Sequence, residues 1–315
     1  MNAVELAGLR ADSPIGVMAG LGVLRICDRR RLCPEPRLHW VASGGSWHAV
    51  VTSAERLSKD TLVSVLSGDV RKASERARNW QWPEQAKSFK RGEFLKVAED
   101  ATAAASWQER EQVDWLAAFG NDLAVDDDDK IESTPFDMSV ARQRFPTDAV
   151  RLAESLAATW KGQTPEAAYE EALFGPWRYK DDQHSFGWDP TTIKLGAFTH
   201  KAPTVMANTG VRAAVWLAFE SLPLFPCSFS GGLLQTRAFR RDGRAFFFYW
   251  PVWESPISVA ALELLLGLVP QATQEELLAR GVVAVYRSER FKPNKYLASF
   301  RPPELVWASP RRHGG

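Results

Sequence analysis

A hairpin signature at residues 233–253, LLQTRAFRRDGRAFFFYWPVW, constrains the fold more than any other part of the sequence. The Asp-Gly pair at 242–243 tolerates the positive φ angles that both central residues of a type I′ turn need. Pairing outward from this turn places Arg241 opposite Arg244. Because side chains alternate along a strand, one face is predicted to carry Arg237, Phe239, Arg241, Arg244, Phe246 and Phe248. Pro251 cannot donate a ladder hydrogen bond, so we expect it to close the second strand at a sheet edge.

The predicted pairing of two arginines needs an explanation, since like charges directly opposite one another destabilise an isolated hairpin. An anion between Arg241 and Arg244 relieves this repulsion, and a phosphate backbone is the obvious candidate. The alternative is a hairpin that packs its aromatic rings into a core and leaves its arginines in solvent. The residues alone favour this alternative.

Composition indicates an ordinary globular protein. The 315 residues suffice for one large domain or two smaller ones, and 45% are hydrophobic and 24% charged. The three cysteines form no CxxC pair, which argues against a disulfide scaffold or a cysteine zinc site and favours a reducing cytoplasm. Neither a secretory leader nor an apolar run long enough to cross a bilayer is expected. We therefore predict a cytoplasmic protein without membrane contact.

Charge is unevenly placed along the chain. The net charge is only +1, yet from residue 230 to the C-terminus 12 Lys and Arg stand against 7 Asp and Glu. This asymmetry indicates an anionic partner for the C-terminal part rather than nucleic acid coating the whole protein.

Local signals predict an α+β fold with antiparallel hairpins and a mainly helical insertion. Ser13 and Pro14 begin a thin, glycine-rich apolar helix that should be buried, and the run at 29–31 should end it in solvent. A second hairpin is predicted across Gly44-Gly45, followed by helical periodicity from residue 53.

We divide the chain into an N-terminal hairpin plus helical region, 1–120, and a C-terminal α+β region, 135–315. The two regions could also form one intertwined domain. The acidic stretch AVDDDDK at 124–130 should be an exposed, flexible joint between them. Contiguous aspartates repel one another, so we do not interpret this stretch as a metal site.

Four polar residues come nearest to a catalytic cluster: Asp181, Asp182, His184 and Asp189. A histidine with nearby carboxylates can perform acid–base chemistry, but nothing in the sequence shows that these side chains converge. A structured turn anchored by Phe186 and Trp188 is the favoured interpretation.

Five segments resemble proteins encoded beside subtype I-G (formerly I-U) CRISPR effectors. They are LAGLRADSPIGVMAGLGVLRI (6–26), FGWDP (186–190), LAFESLPLFP (217–226), TRAFRR with WPVWESPIS (236–258) and ARGVVAVYRSER (279–290). Together, in this order, they are similar to the large-subunit-like or helicase–nuclease-extension group. The resemblance thins out between residues 53 and 174, and large subunits of this subtype are usually considerably longer.

The resemblance implies a non-catalytic subunit or accessory of a CRISPR-RNA-guided interference complex (Cascade) in antiviral defence, bound to RNA or DNA. In such complexes base pairing selects the sequence while protein subunits hold backbones. The expected phosphate contacts are Arg237, Arg240, Arg241, Arg244, Arg287, Arg290, Lys292 and Lys295. The expected base-stacking rings are Phe246, Phe248 or Tyr249. No catalytic residue, metal or cofactor is expected.

Two alternatives of other classes remain open. The first is a protein-interaction scaffold that buries aromatic surface against a neighbouring subunit and never touches nucleic acid. The second is a magnesium- or manganese-dependent nuclease that uses His184 with Asp181, Asp182 or Asp189.

Overall fold

The computed structural model describes residues 2–79, 89–106, 110–139, 144–181, 185–192, 210–294 and 297–310. The helices are α1 (Pro14–Arg29), α2 (Lys59–Asn79), α3 (Arg91–Ala104), α4 (Glu111–Phe119), α5 (Phe145–Ala157), α6 (Pro165–Phe174), α7 (Arg212–Glu220), α8 (Val259–Leu268) and α9 (Gln274–Ala279). The strands are β1 (Ala3–Arg10), β2 (Arg37–Ser43), β3 (Ser46–Thr52), β4 (Gly120–Val125), β5 (Ile131–Ser133), β6 (Cys227–Ser230), β7 (Leu233–Thr236), β8 (Phe239–Asp242), β9 (Ala245–Trp253), β10 (Val282–Asn294), β11 (Leu297–Phe300) and β12 (Glu304–Ala308).

Two antiparallel sheets organise these elements. The first has the order β1-β3-β2, and its β2–β3 hairpin turns at Gly44-Gly45 as predicted. The second has the order β8-β9-β10, with β11 and β12 both paired to the far side of the long strand β10. Two short hairpins, β4–β5 and β6–β7, lie outside these sheets. Helices α2–α7 lie between the sheets in the sequence, so the α+β class with a mainly helical insertion is confirmed.

The centre of the molecule is the contact between α1 and α7. The Ser13 hydroxyl accepts a hydrogen bond from the backbone N–H of Gly16, and Pro14 takes the first helical position, as predicted. Residues 14–27 and the whole of α7 are buried. A Cβ atom at Gly22 would collide with the backbone carbonyl oxygen of Leu217. The glycines of α1 therefore allow two helix backbones to touch.

The prediction that the arginine run at the end of α1 lies in solvent is wrong for Arg30. Its guanidinium is only 10% exposed and contacts three carboxylates, those of Asp69, Glu111 and Glu220. One turn earlier, the guanidinium of Arg25 pairs with Glu220 at 3.1 Å, and both side chains are almost fully buried. Burial lowers the pKa of Arg25, which its carboxylate neighbours partly offset. A charge network thus ties α1 to α2, α4 and α7.

Tryptophans connect the two sheets. The indole Nε1 of Trp253 donates to the carbonyl oxygen of Leu38 at 2.8 Å, and the Trp40 ring meets the Trp253 ring edge-on. Leu38 also exchanges backbone hydrogen bonds with Ile257. One hydrophobic core accordingly contains residues of both predicted regions, from Val4 to Phe300. Within the stretch at 124–130, Ala124 is buried and residues 126–129 are exposed, and these four exposed residues lie in the turn of the β4–β5 hairpin.

The basic hairpin exists, but its predicted register is wrong. Asp242 pairs with Ala245 and Arg241 with Phe246, so the turn is centred on Gly243 and Arg244, and only the glycine has a positive φ. The guanidinium of Arg241 lies over the Phe246 ring, 5.2 Å from its centroid. The observed register separates the two arginines that the predicted one opposed, and it replaces a repulsion with a cation–π contact.

Pro251 does not close the second strand. It lies within β9, opposite Val285 of β10, and the strand continues to Trp253. The partner strand β8 pairs only with the first part of β9, so the missing N–H of Pro251 faces a side that β8 does not reach.

Among the described helices, none combines the length and the apolar character that a bilayer crossing needs.

Candidate nucleic-acid interface

A basic groove opens where β9 and β10 diverge. The last pair between these strands joins Phe247 and Glu289. Beyond it, β9 continues in contact with β8, and β10 continues in contact with β11. The space between them measures about 350 Å³, and we name it the tip groove. Its described lining residues are Arg241, Arg244, Ala245, Phe246, Glu289, Arg290, Phe291 and Lys292.

Two hairpin arginines form one wall of the tip groove. Arg241 lies over the Phe246 ring, and Arg244 is exposed in the turn. Within the described ranges, neither guanidinium has a carboxylate partner. Lys292 on β10 adds a further exposed cation to the same groove. This wall can therefore attract a polyanion without first breaking an arginine–carboxylate pair.

Arg290 is the third arginine that lines the tip groove, and its side chain is largely buried. Its Nη2 donates to the backbone carbonyl of Asp137 at 3.1 Å. Its Nε is buried and finds no acceptor in the part of the chain that the structure describes. Burial lowers the pKa of Arg290, the nearby Asp137 carboxylate opposes this effect, and the charge of Arg241 adds to it. An anion in the groove would stabilise this buried charge.

Only one of the described residues that line the groove is acidic, and its charge is already neutralised. The carboxylate of Glu289 pairs with Nε of Arg301 at 2.9 Å. The Arg301 guanidinium also lies over the Phe291 ring, 4.1 Å from its centroid. The groove therefore combines four cations with one paired carboxylate and two partly buried rings.

Three of the arginines that were predicted to contact phosphate bind other groups of the protein and do not line the tip groove. Arg237 donates to the carbonyl oxygen of Leu224 at 3.1 Å, and its burial lowers its pKa. Arg240 donates to the carbonyl oxygen of Pro270 at 2.9 Å. These hydrogen bonds orient both side chains toward the protein backbone, away from the groove lining.

Arg287 is the third arginine that was predicted to contact phosphate and does not line the tip groove. Its Nε pairs with Glu304 at 2.9 Å and its guanidinium lies over the Phe247 ring. A hydrogen bond to the Tyr249 hydroxyl, followed by the Glu304 contact, raises the pKa of Arg287. The predicted contact at Lys295 lies outside the described residues. The structure thus brings together Arg241, Arg244, Arg290 and Lys292.

Of the three rings that were predicted to stack on a base, only Phe246 lines the tip groove. Phe248 has no exposed surface and packs against Phe136 and Phe300 in the core, so its predicted stacking role is wrong. Tyr249 is buried as well, with its hydroxyl held by Arg287. Phe246 lines the tip groove. Sequence reasoning missed Phe291, although its position between Arg290 and Lys292 was a usable signal.

The two described carboxylates of the candidate catalytic cluster, Asp181 and Asp189, accept hydrogen bonds from the protein itself. Asp181 accepts from the backbone N–H of Arg212 at 2.8 Å, and the buried Asp189 accepts from the N–H and hydroxyl of Thr191. The predicted members Asp182 and His184 lie outside the described residues. No metal-binding group of three or more His, Cys, Asp or Glu side chains occurs in the described part of the chain. Phe186 and Trp188 are buried anchors, as expected.

Comparison of the chain with protein-family models, with curated proteins and with solved structures finds no match.

Proposed function

We propose that this protein is a non-catalytic nucleic-acid-binding subunit or accessory of a type I CRISPR interference complex, acting in the cytoplasm. In this proposal the tip groove holds a phosphate backbone, and other subunits of the RNA-guided complex are its protein partners. The assignment to a CRISPR complex rests on the five resembling segments. The location of the contact rests on the geometry of the groove.

One observation carries the nucleic-acid proposal: four cations line one groove, and the single carboxylate among its described lining residues is paired with Arg301. Arg290 strengthens the argument, because it lines the groove and its largely buried charge would be stabilised by an anion there. Phosphate oxygens are strong acceptors for guanidinium groups, and the exposed Arg241 and Arg244 can donate to them.

The test is a mobility-shift or filter-binding assay with the double variant Arg241→Glu/Arg244→Glu. Both side chains project from a turn and the adjoining strand end, so the melting temperature should change little. Loss of oligonucleotide binding with an unchanged melting temperature would support the proposal. The matched control is Arg37→Glu/Arg56→Glu, which reverses two exposed arginines outside the groove and should leave binding intact. Equal binding by both double variants would reject the groove as the contact.

A protein-interaction scaffold is the second candidate, and exposed leucines favour it. Leu264 and Leu268 lie one turn apart on α8 and are 73% and 39% exposed. Exposed apolar surface of this kind often marks a subunit interface. A complex that survives nuclease and high salt but is lost on Leu264→Asp would favour this function. Leu123→Asp, at another exposed leucine, is the matched control.

A further inference from the structure

The tip groove has features that a site for duplex phosphates does not need. It is a slot between two diverging strands rather than a flat basic face, and its volume of about 350 Å³ is near the lower end of small-molecule pockets. Two partly buried phenylalanines, Phe246 and Phe291, are among the residues that line it. Aromatic rings interleaved with cations are typical of sites for single strands, whose bases can leave the stack.

The two rings differ in their availability. Phe246 packs against the Phe239 ring, with centroids 5.0 Å apart, and belongs to the outer layer of the core. Within the described part of the chain, Phe291 does not belong to the hydrophobic core, and its ring contacts the Arg301 guanidinium. That guanidinium fixes the Phe291 ring from one side. Phe291 is thus the ring that can accept a base without disturbing the fold.

We infer that the tip groove selects single-stranded over double-stranded nucleic acid by stacking one base on Phe291, while its four cations, Arg241, Arg244, Arg290 and Lys292, hold the neighbouring phosphates. This inference rests on the proposed function. In a duplex the bases are stacked inside, so a duplex can reach only the cations at the rim of the slot. A single strand can contact both the cations and the ring.

The test measures fluorescence anisotropy of three labelled probes at one salt concentration: a single-stranded oligonucleotide, its duplex, and an abasic strand of the same length. Wild-type protein should bind the single strand most tightly. Phe291→Ala should weaken single-strand binding by about 5- to 150-fold, the range for loss of one base–aromatic stack. The same variant should leave duplex and abasic binding unchanged, and Phe291→Trp should restore the single-strand preference.

The matched control is Phe229→Ala, which removes a 40% exposed phenylalanine from the β6–β7 hairpin. It should change none of the three affinities. Equal binding of single strand, duplex and abasic strand by wild-type protein would overturn the inference while leaving the phosphate site in place. Failure of all three probes to bind would instead reject the proposed function. Equally tight binding of an acidic peptide such as polyglutamate would show that bases are not recognised.

Discussion

The salt dependence of binding tests how many cations the tip groove contributes. Each neutralised phosphate of a single strand changes the slope of log affinity against log salt by about −0.7. The four cations Arg241, Arg244, Arg290 and Lys292 line the groove, whereas Arg237, Arg240 and Arg287 are not among its lining residues. We therefore expect a wild-type slope of about −2.8, and about −1.4 for the variant Arg241→Ala/Arg244→Ala.

These slopes correspond to large differences in a simple titration. Between 50 and 200 mM salt, wild-type affinity should fall about 50-fold and that of the double variant about 7-fold. The assay is fluorescence anisotropy with a labelled single strand at four or more salt concentrations. Arg240→Ala is the control, because its side chain donates to the backbone of Pro270, and the wild-type slope should be unchanged. A wild-type slope near −5.6, which eight phosphate contacts would give, or equal slopes for wild type and double variant, would refute the assignment.

Three further predictions concern the fold. Gly22→Ala should destabilise the protein by about 1–3 kcal/mol in urea unfolding because the new methyl group meets the backbone of α7. The control Gly68→Ala adds its methyl in open space within a helix and should stabilise by about 0.5–1 kcal/mol. Glu220→Gln should cost about 3–5 kcal/mol, since it removes the nearest and most buried charge partner of the Arg25 guanidinium, and an unchanged unfolding midpoint would contradict this. Burial raises the pKa of Cys227 from 9.0 to about 11, so the unfolded chain loses this proton first and stability should fall between pH 9 and 11. Cys227→Ala should lose less stability than wild type over this interval.

Local signals in the sequence predicted much of the secondary structure. Ser13-Pro14 begins α1 as expected, because capping depends on residues a few positions apart. Thr164-Pro165 and Thr273 with Glu276 begin α6 and α9 by the same local rule. The prediction of a hairpin turn at Gly44-Gly45 is confirmed, because a tight turn also depends only on neighbouring residues. The buried position of α1 also followed from its apolar, glycine-rich surface.

Tertiary contacts decided what the sequence could not predict. The hairpin register moved away from the expected Asp-Gly turn to place Phe239 opposite Phe248, and both rings pack into the core. Arg30 is buried because carboxylates from three other helices reach it, and no local pattern reveals such partners. The tip groove depends on the point where β9 leaves β10. Sequence reasoning therefore named the four groove cations, but only the structure separates them from the other arginines.

Photo-crosslinking tests the central claim most directly. A single strand carrying 4-thiouracil would be irradiated with the protein, and the crosslinked peptides identified by mass spectrometry. We predict crosslinks confined to residues 241–246 and 289–292, the two walls of the tip groove. Crosslinks on other surfaces, with none at these two segments, would contradict the account.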